Sequence, residues 1–205
     1  MTVYKELLFI LLFLPSSFCV LPDPNYYLLI SMDGFRWDYL DIVNARGKAT
    51  PMFEYLITNG VKAQHMKNAY VTVTWPNHWT LATGMHVESH GVVANEYFDR
   101  RLNATFNGRG TFDAKWYDNG TYGAGGEPIW VTYQRAASYH RSGMVIWPGG
   151  NAPVNGILPT YRVPPDNTMP FNERVDNIIQ WFTMEEVRIC MSVKHDDINV
   201  NSDLL

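Results

Sequence analysis

The sequence is poor in cysteine, in clustered positive charge and in long apolar runs. Only two cysteines occur among 205 residues, Cys19 and Cys190. Because we expect Cys19 to be removed with an N-terminal segment, the remaining thiol has no partner within the chain and no intrachain disulfide is expected. Lys and Arg total 16 against 20 Asp and Glu, for a net charge of −4. The basic residues are scattered, so the sequence does not support a nucleic-acid-binding surface.

The first 19 residues have the pattern of a secretory signal peptide. Lys5 gives a weak basic start, residues 7–14 are apolar but too short to span a bilayer, and Ser17 and Cys19 are small residues before a cleavage point. A short buried helix is the alternative. The segment favours export through the secretory pathway and a secreted or extracellular protein. No second apolar run is long enough to cross a membrane, and residues 20–205 fit one globular domain, 46% of the chain being hydrophobic.

A polar stretch rich in Gly and Asn, Arg101–Gly126, predicts a long surface loop. It contains two glycosylation sequons, at Asn103 and Asn119. Both would be accessible in an exported protein, and we predict glycans there.

Strand and helix patterns alternate along the chain. The predicted strands are Tyr26–Met32, Val61–Met66, Ser142–Trp147 and Val187–Val193. One predicted helix begins at Thr50-Pro51 and has Met52, Phe53, Leu56 and Ile57 on one face. Another spans Pro170–Phe182, with the core-facing apolar stripe Phe171, Val175, Ile178, Ile179 and Phe182. The order predicts an α/β fold with a mostly parallel central sheet and helices on both faces.

Two residues with reactive side chains follow these patterns at functional positions. Asp33 follows a strand without polar alternation, where ligands of open α/β sheets bind; it is either a ligand or the cap of a turn. Thr74 begins a short helix, which Gly84 ends, and is either a simple N-cap or a nucleophile beside a helix N-terminus that favours phosphate. The 41 residues between them allow a strand–helix–strand crossover that brings both to one sheet edge.

Several motifs resemble the nucleotide pyrophosphatase/phosphodiesterase family of the alkaline phosphatase superfamily. Residues 74–99, TWPNHWTLATGMHVESHGVVANEYFD, are similar to the family's nucleophile region. Residues 31–40, SMDGFRWDYL, resemble its first metal-binding stretch. The GEPIW sequence ending at Trp130 and Trp147-Pro148-Gly149 also resemble family motifs.

The resemblance implies a phosphodiesterase that acts on extracellular nucleotides with two zinc ions. By this resemblance Asp33 binds zinc, and Thr74 is both the nucleophile and a metal ligand. Asn95 would donate its side-chain amide to a phosphate oxygen, although by itself it is an ordinary turn residue. Trp75 would pack on the base of the substrate or otherwise lie in the core. Tyr161 is the nearest candidate for a second base-stacking aromatic residue.

Other family features are missing from the sequence. Thr111 stands about where several relatives carry a basic substrate-binding residue, so the leaving group stays open. We expect the match to end near Phe182, because the family's later Asp-x-x-x-His and Asp-His-Gly motifs do not follow. This predicts the N-terminal part of a catalytic domain, apparently truncated, with too few ligands to hold two zinc ions securely. A membrane anchor beyond Leu205 stays open.

Two alternatives to the nucleotide hydrolase stay open. One is a catalytically inactive fragment or pseudoenzyme that binds nucleotides or serves as an interaction module. The other is a phosphomonoesterase, sulfatase or lipid-type phosphodiesterase of the same superfamily. The Thr74–His78 motif and Asn95 favour nucleotide diesters over these.

Overall fold

A computed structural model describes residues 26–110, 112–118, 126–163 and 169–184, together with the backbone of 190–195. The strands are β1 Tyr27–Met32, β2 Glu96–Asp99, β3 Ala104–Asn107, β4 Gly143–Val145, β5 Tyr161–Val163 and β6 Cys190–His195. The helices are α1 Tyr39–Ala45, α2 Pro51–Asn59, α3 Thr74–Thr83, α4 Val87–His90, α5 Ile129–Ala136 and α6 Phe171–Phe182, with a 3₁₀ turn at Ala114–Trp116.

A four-stranded parallel sheet of order β1-β6-β4-β5 forms the centre of the fold. β6 pairs with β1 on one side and with β4 on the other, so β1 and β5 are the outer strands among the described residues. A separate antiparallel hairpin joins β2 and β3. Because all four strands of the main sheet run the same way, their carboxyl ends meet at one edge, where Asp33 follows β1.

Helices cover both faces of this sheet. Successive strand residues point to opposite faces, and Met144 and Val145 of β4 belong to two different apolar clusters. The Met144 cluster includes side chains of α3 and α5, such as Trp79 and Trp130. The Val145 cluster includes Ile178 and Trp181 of α6. This arrangement confirms the predicted α/β fold with a parallel sheet between helical layers.

Several predicted elements are wrong. Residues 61–66 form no strand, and Val61 is 99% exposed. The strand that pairs with β1 is β6 instead. The predicted loop 101–126 contains β3, which pairs with β2. The short strand β5 was not predicted. Three of the four predicted strands do form, as β1, β4 and β6, near their predicted positions.

The apolar faces predicted for two helices differ in part from the faces that are buried. Met52 and Leu56 of α2 are more than half exposed, whereas the ring of Phe53 stacks on that of Phe35. In α6 the exposed side chains include Phe171 and Ile179, whereas Arg174, Ile178 and Trp181 are buried. Arg174 can be buried because its Nε donates to the carbonyl oxygen of Met169 at 3.0 Å, which satisfies part of its guanidinium.

In the part of the chain described by the structure, none of the helices combines the length and the apolar character needed to cross a membrane.

Candidate active site

The structure brings Asp33 and Thr74 into direct contact at the carboxyl end of β1. Asp33 follows the last residue of the strand, and Thr74 is the first residue of α3. The Thr74 Oγ1 donates a hydrogen bond to Asp33 Oδ2 at 3.1 Å. The predicted N-cap role of Thr74 is wrong, because Val73 is the N-cap and no side chain caps the helix. The hydroxyl is therefore available for the carboxylate, while Gly84 ends the helix in the left-handed conformation as predicted.

A cavity of about 450 Å³ opens beside this pair. Its wall includes Asp33, Thr74 and the side chains of Phe35, Arg36 and Leu81. Arg36 forms two hydrogen bonds with Asp38, which raise the pKa of the guanidinium and lower that of the carboxyl. The positive charge at the rim is thus matched by a neighbouring negative charge, and the cavity can admit a small polar molecule against an apolar wall.

The side chain of Asn95 is hydrogen-bonded to the start of α3. Its Oδ1 accepts a hydrogen bond from the backbone N–H of Trp75 at 2.8 Å. This bond uses the carbonyl half of the amide, so the N–H₂ half is the donor that could serve a phosphoryl oxygen. Because Pro76 has no N–H and that of Trp75 is already bonded, the helix start offers an anion fewer free N–H groups than the sequence suggests.

Trp75 lies over a glycine rather than in open space. It is half-buried, and a Cβ at Gly108 would lie 2.8 Å from the indole Cγ and closer still to Cδ2 and Cε2. The Gly108 N–H donates to the carbonyl oxygen of Asn95 at 2.9 Å. Trp75, Asn95 and Gly108 therefore form one packed unit that joins the β2–β3 hairpin to the start of α3. This packing supports a positioning role for Trp75 besides its predicted contact with substrate.

Asn77 and His78, two neighbours of Thr74 in the sequence, hold the start of α3 by side-chain hydrogen bonds. By the family resemblance His78 is expected to be structural, whereas no role was predicted for Asn77. Asn77 accepts a hydrogen bond from the Ala69 N–H at 2.9 Å, and its amide donates to the carbonyl oxygens of Val71 and Val73. The buried His78 contacts Ser31 Oγ at 2.9 Å and the Thr74 carbonyl oxygen at 2.8 Å. The signal was their position in the Thr-Trp-Pro-Asn-His motif, three and four residues after the predicted nucleophile.

His90, from the same segment, belongs to the packing of α3 and α4. Its Nδ1 accepts from the Val92 N–H at 3.2 Å, and its Nε2 lies 3.0 Å from Thr80 Oγ1. Burial lowers the pKa of His90 to about 4, because a charged imidazole would lose its hydration there. A neutral ring with both nitrogens hydrogen-bonded is a structural group at pH 7.

The remaining predicted site residues lie elsewhere. Tyr161 is at the amino end of β5, level with Leu28 across the sheet and packed on Trp181, so the structure does not bring it to the cavity. Its substrate role stays a prediction that this placement does not support. Asn103 is exposed in the turn between β2 and β3, whereas Asn119 and Thr111 lie outside the described residues. Glycosylation stays a prediction.

The described residues supply only part of a metal centre. Asp33 and Thr74 offer a carboxylate and a hydroxyl oxygen within contact of one another. No group of three or more His, Cys, Asp or Glu side chains with the geometry to hold a metal ion occurs among the described residues. A catalytic zinc usually has about three protein ligands, so this pair fits one side of such a site without completing it.

Comparison with known proteins identifies close similarity to one family. The family described as type I phosphodiesterase/nucleotide pyrophosphatase matches residues 27–199, which extends past the predicted limit at Phe182. Human ectonucleotide pyrophosphatase/phosphodiesterase family member 5 is 41% identical over 175 residues, covering 84% of this chain and 34% of that protein. Mouse bis(5′-adenosyl)-triphosphatase enpp4 is 35% identical over 156 residues, covering 76% and 32% respectively.

A solved structure shows the same relationship. Murine ectonucleotide pyrophosphatase/phosphodiesterase 5 superposes with a TM-score of 0.75 at 37% identity, covering 85% of this chain and 44% of that one. The same murine protein has also been solved as an inactive threonine-to-alanine variant in complex with AMP. The present chain thus spans about a third of the length of these two curated relatives and less than half of the solved chain.

Proposed function

Because this chain belongs to the type I phosphodiesterase/nucleotide pyrophosphatase family, we propose that it carries the nucleophile half of a zinc-dependent site that hydrolyses phosphodiester or pyrophosphate bonds in extracellular nucleotides. The single observation that carries the proposal is the 3.1 Å hydrogen bond from Thr74 Oγ1 to Asp33 Oδ2. Two relatives support the substrate class: one is named for a diadenosine triphosphate, and another was solved with AMP.

In this proposal Thr74 Oγ attacks the phosphorus of the substrate. The hydrogen bond to Asp33 fixes the hydroxyl hydrogen on the carboxylate side, which leaves an oxygen lone pair for the phosphorus. The new Thr74 O–P bond forms as the P–O bond to the leaving group breaks, and the hydroxyl proton passes to the Asp33 carboxylate, to which it is hydrogen-bonded. Water then cleaves the phosphothreonine ester, releasing a nucleoside monophosphate and restoring the hydroxyl. The murine relative that is inactive with one threonine changed to alanine supports a threonine in this role.

Asn95 would stabilise the negative charge that develops on the phosphoryl oxygens. Its carbonyl oxygen is bound to the Trp75 N–H, so the amide is held beside Thr74 with its N–H₂ group as the donor. A fixed neutral donor of this kind typically contributes about 10²- to 10³-fold in rate. Trp75 would contribute an apolar surface to the leaving group or base.

The family is one of metal-dependent phosphodiesterases. Asp33 Oδ and Thr74 Oγ would be ligands from this chain. When bound there, zinc supplies positive charge that lowers the pKa of the hydroxyl and offsets the charge of the phosphate. The later family motifs would have to supply the other ligands.

The test uses a form of the protein that also carries the later family motifs, produced through a secretory host and assayed with zinc. The substrate is the p-nitrophenyl ester of thymidine 5′-monophosphate, whose cleavage releases a coloured phenol. We expect Thr74→Ala and Asp33→Ala to abolish turnover, and a chelator to do the same. Thr132→Ala is the matched control, because that exposed hydroxyl bonds only to Glu127 among the contacts described for it. Equal rates for Thr74→Ala and the wild type would contradict the mechanism.

A second candidate, nucleotide binding without turnover, is favoured by one observation. The described residues contain no group of three or more His, Cys, Asp or Glu side chains that could hold a metal ion. If the chain is folded and binds AMP in a calorimeter but leaves the nucleotide ester intact with saturating zinc, this second function replaces the first.

We further propose that the protein is exported and glycosylated. Homologues named as ectonucleotide enzymes support this location. The predicted signal peptide, residues 1–19, lies outside the described residues.

A further inference from the structure

Two independent hydrogen-bonded paths connect β1 to the start of α3. The first is the direct bond between Thr74 Oγ1 and Asp33 Oδ2. The second runs from Ser31 Oγ to His78 Nε2 at 2.9 Å, and from His78 Nδ1 to the Thr74 carbonyl oxygen at 2.8 Å. Ser31 precedes Asp33 by two residues, so both paths join the same two short segments.

The chemistry of the second path fixes the tautomer of the ring. A carbonyl oxygen can only accept, so His78 Nδ1 must carry the hydrogen that it shares with Thr74. In the neutral imidazole the Nε2 lone pair then accepts from the Ser31 hydroxyl. His78 is 5% exposed, and its ring makes a T-shaped contact with that of Trp147, with centroids 5.1 Å apart, so it has little room to turn.

The two paths differ in what the proposed reaction does to them. Once Thr74 Oγ bonds to phosphorus it has no hydrogen, and its bond to Asp33 is lost. The path through His78 uses the Ser31 hydroxyl and the Thr74 carbonyl, neither of which reacts. We propose that His78 is a positioning residue, which keeps the end of β1 and the start of α3 in register throughout the reaction. This inference rests on the proposed function.

Four variants test the path from Ser31 through His78 to Thr74, by steady-state kinetics on the nitrophenyl ester of thymidine monophosphate. They are His78→Phe, Ser31→Ala, Ser31→Thr and the double variant His78→Phe/Ser31→Ala. His78→Phe keeps the ring against Trp147 and removes both hydrogen bonds; Ser31→Ala is the milder change, should His78→Phe fold poorly. Since a misplacement of about 1 Å can cost on the order of 10²-fold in rate, we expect kcat to fall about 10- to 100-fold. KM should stay within about twofold, because substrate contacts are unchanged. Ser31→Thr restores the hydroxyl and should recover kcat.

The double variant, His78→Phe with Ser31→Ala, shows whether Ser31 and His78 act together. If Ser31 works through His78, the double variant should have the kcat of His78→Phe within about twofold. His90→Phe is the matched control: it also removes two bonds of a buried histidine, those with Thr80 and the Val92 N–H, which do not involve β1 or Thr74, and should retain full kcat where it is folded. Multiplying effects in the double variant, or an equal loss in His90→Phe, would overturn the inference.

A readout without activity separates this inference from the proposed function. A long-range ¹H–¹⁵N spectrum of the ¹⁵N-histidine-labelled chain identifies which nitrogen of His78 is protonated. We expect the Nδ1–H form in the wild type and a shifted Nε2 resonance in Ser31→Ala. If the wild type shows no turnover, the proposed function fails, and the spectrum alone then tests whether His78 links Ser31 to Thr74. An Nε2–H tautomer overturns the positioning role.

Discussion

Adding one methyl group at Gly108 should disturb both the stability and the site, and the structure allows the cost to be worked out. An alanine Cβ there would lie 2.8 Å from Cγ of Trp75 and closer to two other indole atoms. These atoms are at the rigid base of a two-ring side chain whose Nε1 is buried, so the ring cannot simply swing away. Something in the packed unit of Trp75, Asn95 and Gly108 has to move.

The magnitude follows from two opposing terms. Overpacking a well-filled site costs about 1–3 kcal/mol in the free energy of unfolding. Replacing glycine by alanine also restricts the unfolded chain, which returns about 0.4–1 kcal/mol. The two ranges give a net loss of up to about 2.6 kcal/mol, and their midpoints give an expected loss for Gly108→Ala of about 1.3 kcal/mol. For a domain of this size it should lower the thermal midpoint by roughly 3–5 °C, at about 2–4 °C per kcal/mol.

The effect should extend to catalysis, because Gly108 is bonded to Asn95. The Gly108 N–H donates to the Asn95 carbonyl oxygen, and the Asn95 side chain holds the Trp75 N–H. A displaced indole therefore displaces the predicted phosphate donor, and we expect kcat on the nucleotide ester to fall about tenfold.

Gly110→Ala is the matched control, two residues further along. A Cβ at Gly110 would meet nothing within 4 Å, so that change should alter stability by less than about 0.5 kcal/mol. Trp75→Phe combined with Gly108→Ala should be less destabilised than the sum of the single variants, because the smaller ring relieves the overlap. Denaturant titration measures the wild type, the three single variants and the double variant. If Gly108→Ala is as harmless as Gly110→Ala, the packed unit is incorrectly described.

Three further predictions concern the site, the acid stability and the route of export. Asn95→Ala should lower kcat by about 10²-fold with KM little changed, and unchanged kcat in steady-state assays would remove Asn95 from the mechanism. The pKa of His90 is lowered to about 4 in the folded chain, so between pH 6.5 and 4 the unfolded chain binds a proton on His90 that the folded chain does not bind. The free energy of unfolding should therefore fall by roughly 2 kcal/mol from pH 7 to 4.5. Denaturation of His90→Phe should not show this fall above pH 4.5, and an equal fall would assign it to other groups. Mass spectrometry of protein from a secretory host should find Val20 as the first residue and a glycosidase-sensitive mass on Asn103; an intact residue 1 would contradict the signal peptide.

The meeting of Asp33 and Thr74 was predictable, although part of the route was wrong. The apolar strand before Asp33 and the helix start at Thr74 were both visible in the sequence, and the rule that parallel strands share a carboxyl edge placed them together. The predicted strand at residues 61–66 does not exist. The chain instead approaches Thr74 through an irregular segment that the Asn77 side chain holds in place.

Other features depend on contacts that local patterns do not contain. The neighbour of β1 is β6, more than 150 residues later, and nothing in either strand specifies this pairing. The β2–β3 hairpin has strands of four residues beside a stretch rich in Gly and Asn, so its alternation is too short to outweigh the loop composition. The roles of Asn77 and His78 depend on hydrogen bonds to Ala69 and Ser31, which only the fold brings near.

The central claim is that Thr74 Oγ becomes covalently bonded to the phosphorus of a nucleotide. Acid-quenched protein taken during turnover of the thymidine monophosphate ester can be digested with trypsin, which yields the peptide 68–100 that contains Thr74. Mass spectrometry should find one nucleoside monophosphate on Thr74 of this peptide, and none in the Thr74→Ala variant. A nucleotide on another residue, or turnover without any adduct, would contradict the account.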